Sequence, residues 1–188
     1  MEKQKVVFIP GFMDVAVNYS DSFGRVDIWK EKADWRERIN ADVVVGYSLG
    51  ANFALLNWEK NKNTKLVLVN PLLPKRTKTE WAKRWISFLS AEGIKVNEER
   101  SKVIAQLPIE TKLASGILSE EIDNVLDIIP KEKLAVIRGV HDDFFCDAEV
   151  GEYLKKKGII LYEVDAGHTW NKSIAEEVDI LVKKFLYP

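Results

Sequence analysis

The sequence predicts an α/β protein: a three-layer α/β/α sandwich built on a mostly parallel sheet of five or six strands. Three observations carry this. Short apolar runs rich in valine and isoleucine recur along the chain, as strands buried on both faces of a parallel sheet require. Segments with helical spacing alternate with those runs. The chain has 188 residues, 46% hydrophobic and 30% charged, which is ordinary globular composition and enough for one domain with a sizeable core.

The first run, Val6-Val7-Phe8-Ile9, stops at Pro10. Arg25 to Trp29 reads either as a short strand or as the start of a helix running to Ile39. The second clear run is Val43-Val44-Val45, and the stretch Ala51 to Lys60 after it carries Phe53, Leu56 and Trp58 among good helix formers. Leu66 to Val69 is the next strand. From Pro71 to Lys133 no strong strand run occurs. Trp81, Trp85 and Phe88 fall there at i, i+4 and i+7, and helical patterns continue over Glu98 to Gln106 and Glu120 to Ile128. This region, about 72–132, is expected to be a helical insert or cap within a single domain spanning 1–188. Leu134 to Ile137 is a strand, and Asp147 to Lys157 a helix closed by Gly158. Ile159 to Val164 is the last strand. Ser173 and Glu176 have capping-box spacing, and Ile174, Val178, Leu181 and Phe185 then line one helix face.

Charge and composition exclude several classes. Basic and acidic side chains number 28 and 29, a net charge of −1, so bulk attraction to nucleic acid is not expected. One cysteine, Cys146, permits no internal disulfide. The N-terminal apolar run is too short for a signal-peptide core, and no window approaches a membrane helix. A cytoplasmic protein is expected. Two histidines and one cysteine do not assemble a metal site, and neither a phosphate loop nor a dinucleotide fingerprint is present; no cofactor is expected.

The sharpest motif is Gly46-Tyr47-Ser48-Leu49-Gly50, between a strand and a helical segment. A serine nucleophile must project from a tight strand-to-helix turn, where side chains two residues to either side would collide. The next N–H, of Leu49, then sits at a helix N-terminus, where it can stabilise an oxyanion. A serine hydroxyl needs a base held by a carboxylate. His168 follows the strand ending at Val164, at the sheet end where α/β sites form. His141 lies beside two aspartates, Asp142 and Asp143, either of which could orient the base.

Taken together, these motifs resemble the α/β-hydrolase superfamily, in a small, trimmed, esterase-like form. Pro10-Gly11-Phe12-Met13 resembles its oxyanion loop, Gly46 to Gly50 its nucleophile elbow, Gly139-Val140-His141-Asp142 its acid loop and Gly167-His168 its histidine loop. The resemblance covers nearly the whole chain. It implies a serine hydrolase, of carboxylesterase type, cleaving a small or medium acyl ester through an acyl-serine intermediate. Ser48 would be nucleophile, His168 general base and acid, and Asp142 the orienter, favoured over Asp143 by its spacing from Gly139. The N–H groups of Phe12 and Leu49 would form the oxyanion hole. Two departures are plain: Pro10 replaces the usual histidine, and no proline follows the acid. Thioester or acyl-carrier-protein ester hydrolysis is the neighbouring alternative, and a non-catalytic binding protein on the same fold the alternative of another class.

Met13, Tyr47, Trp81, Trp85, Phe88 and Phe144 are candidate pocket residues. Lys75, Arg76, Lys78, Lys83 and Arg84 could form a basic rim for an acidic carrier protein, although an amphipathic helix with solvated charges explains them as simply. Cys146 reads as a packed residue and His141 as a solvated loop residue.

Overall fold

A computed structural model describes residues 4–14, 19, 23–26, 28–29, 39–93, 98–105 and 107–188. The apolar runs become strands β1 (Gln4–Ile9), β3 (Ala41–Tyr47), β4 (Lys65–Val69), β5 (Leu134–Gly139) and β6 (Ile160–Val164). A two-residue strand, β2 (Gly24–Arg25), pairs with β1. The strand reading of Arg25 to Trp29 therefore holds only at its first residue, since Ile28 and Trp29 lie in a turn. Residues 30–38, where the alternative helix would run, lie outside the described residues. All pairings are parallel, in the order β2-β1-β3-β4-β5-β6.

Seven α-helices are described: α1 (Leu49–Trp58), α2 (Lys78–Ala91), α3 (Glu98–Ile104), α4 (Leu107–Ile117), α5 (Asp123–Ile128), α6 (Ala148–Lys156) and α7 (Lys172–Leu186). Register explains the layering, because neighbouring residues in adjacent strands face the same way. Val7, Val44, Leu66 and Leu134 are aligned across the sheet and meet α1 and α6 in one core. Phe8, Val45, Val67 and Ala135 form the next row and meet Ile174, Val178, Leu181 and Val182 of α7 in a second core. Helix α1 is buried on nearly every side, as apolar residues distributed all round it suggest.

Two expectations need correction. Strand β6 is only half-buried, with Ile160 at 47% exposure. It is the sheet edge, and edge position is not encoded in an apolar run. The α7 cap is Asn171, whose side chain accepts from the Ile174 N–H at 3.0 Å; Ser173 already lies inside the first turn and caps nothing. Helix α4 falls within the stretch expected to be helical, and Pro108 stands in its first turn, where proline gives up an N–H that has no intrahelical acceptor anyway. Gly158 follows the end of α6 at φ +67°, as expected, while Asp147 lies just before the helix as its cap, accepting from the Val150 N–H at 3.1 Å.

Four helices, α2 to α5, lie between β4 and β5. Asn52 of α1 fastens the base of this region through paired bonds to Leu72: its side-chain N–H donates to the carbonyl at 2.9 Å and its oxygen accepts from the N–H at 3.0 Å. Within the region, Glu110 of α4 is buried, and neither carboxylate oxygen has a hydrogen-bond partner among the described residues. Burial pushes its pKa up to about 7.

Candidate active site

Strand order reverses direction at β1: β2 pairs on one side of it and β3 on the other. Ligand sites of open parallel sheets form at such a point, beyond the strands' carboxyl ends. The loops leaving β1 and β3 meet there. Ser48 stands between β3 and α1 at φ +53°, a left-handed conformation that side chains rarely adopt. Its N–H donates to the Val69 carbonyl at 2.8 Å.

The flanking glycines have definite causes. A Cβ at Gly46 would lie 2.6 Å from Cα of Ala51, and one at Gly50 would lie 2.4 Å from the Pro10 carbonyl oxygen. Gly50 thus lets α1 press against the loop after β1. In that loop a Cβ on Gly11 would come within 3.0 Å of Ser48 Cβ, so Gly11 runs directly beside the serine. Trp29 Nε1 donates to the Pro10 carbonyl at 3.2 Å, and Met13 sits at φ +59°.

Ser48 Oγ lies 2.9 Å from His168 Nε2, and His168 Nδ1 lies 2.6 Å from Asp142 Oδ2. The three side chains are almost closed to solvent, the most exposed residue being Ser48 at 7%. Asp142 also accepts from the N–H groups of Phe144 (3.1 Å), Phe145 (2.9 Å) and Cys146 (3.1 Å). Burial alone would push this carboxyl up. The charge and hydrogen bond of His168, with the N–H groups of Phe145 and Phe144, outweigh burial and hold it below the ordinary aspartate value. Asp143 is exposed; Asp142 is the aspartate that meets the imidazole.

One residue overlooked in the sequence ties the loops together. Asn70, at the end of β4 with φ +45°, accepts from the Gly139 N–H at 2.8 Å. Its amide donates to the carbonyls of Gly167 (3.1 Å) and His168 (3.0 Å). The available signal was an asparagine between a strand and Pro71, since asparagine tolerates the left-handed region. Gly139 permits the acid and histidine loops to touch, since a Cβ there would lie 2.3 Å from the Gly167 carbonyl oxygen.

The candidate pocket residues divide. Phe88 stands edge-on to the His168 ring at 5.5 Å, and Trp85 packs on Phe12 and Phe145. Phe144 packs edge-on against Phe88, and Trp81 stacks on Phe145 in the row behind. Phe145, not singled out in the sequence, is nearest to the His168 ring, at 4.4 Å. Tyr47 lies on the α7 side of the sheet with Tyr19 and Trp170, its hydroxyl donating to the His168 carbonyl at 3.0 Å. Leu49 is buried as the first residue of α1. Cys146 is fully buried and burial raises its thiol pKa. His141 is exposed and pairs with Asp165 at 3.0 Å. Much of the candidate basic rim is engaged within the chain: Arg76 and Arg84 meet Asp147, and Lys75 meets Glu121. Among the described residues, no group of three or more histidine, cysteine, aspartate or glutamate side chains could hold a metal ion. No described helix is long and apolar enough to cross a membrane.

No protein-family model and no curated protein matches the sequence. Solved structures do match. A hydrolase from Oleispira antarctica superposes with a TM-score of 0.65 at 11% identity, over 97% of this chain and 92% of that one. An α/β-hydrolase enzyme from a Medee basin deep-sea metagenome library gives 0.62 at 13% identity, over 98% and 90%. A structure from a study of carboxylesterases of the thaumarchaeon Nitrososphaera gargenis gives 0.59 at 12% identity, over 97% and 90%. The parallel sheet, the serine turn at the strand-order reversal and these superpositions agree: the chain has the α/β-hydrolase fold.

Proposed function

We propose that the protein is a serine hydrolase that cleaves a carboxylic ester of a small or medium acyl group. The observation that carries this is the buried relay Ser48–His168–Asp142, with contacts of 2.9 and 2.6 Å. With the Nδ1 proton held toward Asp142, Nε2 accepts the Ser48 proton as Oγ attacks the acyl carbon. The N–H groups of Leu49 and Phe12 would receive the oxyanion. His168 then protonates the leaving alcohol, and water, activated by the same imidazole, releases the acid from the acyl-serine.

In this reading residues 72–132 form a cap. Met13, Trp85, Phe88 and Phe144 would line the acyl site, with Phe145 added, while Trp81 and Tyr47 support it from behind. The enclosure of Ser48 and its aromatic surroundings support a compact acyl group. Thioesters could follow the same chemistry, but the internal ion pairs of Arg76 and Arg84 leave less basic surface for an acidic carrier protein. A single buried cysteine suits a cytoplasmic setting. Treatment with a fluorophosphonate probe is expected to label the wild type at Ser48 and to leave Ser48→Ala unlabelled. Labelling that persists in Ser48→Ala, or an unlabelled wild type, would refute the reading.

A further inference from the structure

The loop carrying Asp142 is held from outside by a side chain of the helical region. Arg84 of α2 donates from Nη1 to the Phe144 carbonyl at 2.6 Å and to Asp147 Oδ2 at 2.8 Å. The Phe144 carbonyl and the Phe145 N–H belong to one peptide unit. That N–H donates to Asp142 Oδ1 at 2.9 Å. The peptide is therefore gripped at both ends, by a cation on its oxygen and a carboxylate on its hydrogen. Charge on a peptide oxygen polarises the unit and strengthens its N–H as a donor. From there the hydrogen bonds continue through Asp142 Oδ2 to His168 and Ser48.

We propose that Arg84 is a positioning residue for Asp142, acting through the Phe144–Phe145 peptide; the proposal rests on reading Ser48–His168–Asp142 as a catalytic triad. A purely structural role would run through Asp147 instead. That carboxylate also meets Arg76 at 3.4 Å and caps α6, so Arg84 could serve merely to pin α2 against α6. The two roles separate because the bond to the Phe144 carbonyl does not involve Asp147.

The experiment compares Arg84→Met, Arg84→Lys and Asp147→Asn in the full chain, with p-nitrophenyl acetate as substrate probe, fluorophosphonate labelling of Ser48, and denaturant unfolding. Asparagine can still cap α6. Arg84→Met is expected to lower kcat about tenfold with KM held within about twofold, the loss of one charge-assisted hydrogen bond. Arg84→Lys, which keeps the cation, should recover kcat to within about threefold of wild type. Asp147→Asn should lower stability while keeping kcat within about twofold. If Arg84→Met does not fold, Arg84→Gln carries the same comparison. Wild-type kcat in Arg84→Met, or an equal kcat loss in Asp147→Asn, overturns the proposal while an active, labelled wild type leaves the triad standing. A wild type that neither turns over nor labels at Ser48 overturns the triad reading and this proposal with it.

Discussion

The turn carrying Ser48 and the loop carrying Asp142 fix their side chains by opposite means. At the turn, side chains are excluded: Gly46 and Gly50 admit backbone contacts that a Cβ would enter at 2.6 and 2.4 Å, and β3 and α1 set the geometry. At the loop, side chains are supplied: Asn70 bonds the Gly139 N–H, Arg84 takes the Phe144 carbonyl, and Arg138 Nε takes the carbonyls of Cys146 and Asp147 at 2.7 and 3.0 Å. The loop after β1 resembles the second case, with Arg100 of α3 and Tyr19 both bonded to the Asp14 carboxylate. A backbone-built feature tolerates no substitution but depends on few distant residues. A feature built from side chains draws on residues scattered through the sequence, and its parts can be removed one at a time.

The largest test addresses the loop. Asp142→Asn should reduce kcat by about 10⁴-fold, because the imidazole loses its orienting carboxylate, while Asp143→Asn, on an exposed side chain, should stay within about twofold. Equal effects at the two positions would dissolve the assignment. Next comes the turn. Gly50→Ala drives a methyl group into the backbone of residues 9 and 10, and a destabilisation of about 3 kcal/mol or more is expected by denaturant unfolding. A stable, active Gly50→Ala would show that α1 can retreat from the β1 loop.

The smallest effect contrasts two buried carboxyls by pH. Asp142 lies below its ordinary value, so its contribution to stability is present above the unfolded-state pKa and is lost as pH falls through the folded one. Glu110 has the reverse sign. Its value near 7 means that the folded state holds a proton the unfolded state has released. Stability from this site therefore declines as pH rises from the unfolded-state value through about 7. Glu110→Gln should remove that decline and be the more stable protein at pH 8, by about 1 kcal/mol. An unchanged pH profile of unfolding would place Glu110 in contact with solvent.

The same contrast explains what could be read in advance. Strands β1, β3, β4 and β5, the serine turn and its glycines are local: apolar runs report burial on both faces, and Gly46-Tyr47-Ser48-Leu49-Gly50 carries its own steric reason. His168 was legible because the chain has only two histidines. Asn70 was not, since its partners lie at Gly139, Gly167 and His168. Arg84 read as a surface charge because Asp147 and the Phe144 carbonyl are distant in sequence. Phe145 was passed over for a related reason, as nothing in its neighbours indicates which of two adjacent phenylalanines turns toward the histidine. Helix caps failed on a finer scale, where Asn171 and Ser173 are equally good candidates until the chain's entry direction is known.

Cys146 gives the protein a built-in gauge. It is the chain's one thiol, wholly enclosed, with its own N–H on Asp142. Burial keeps it protonated, so alkylating reagents must wait for the segment to open. The rate of modification under native conditions thus times the breathing of the segment that presents Asp142, without any introduced label.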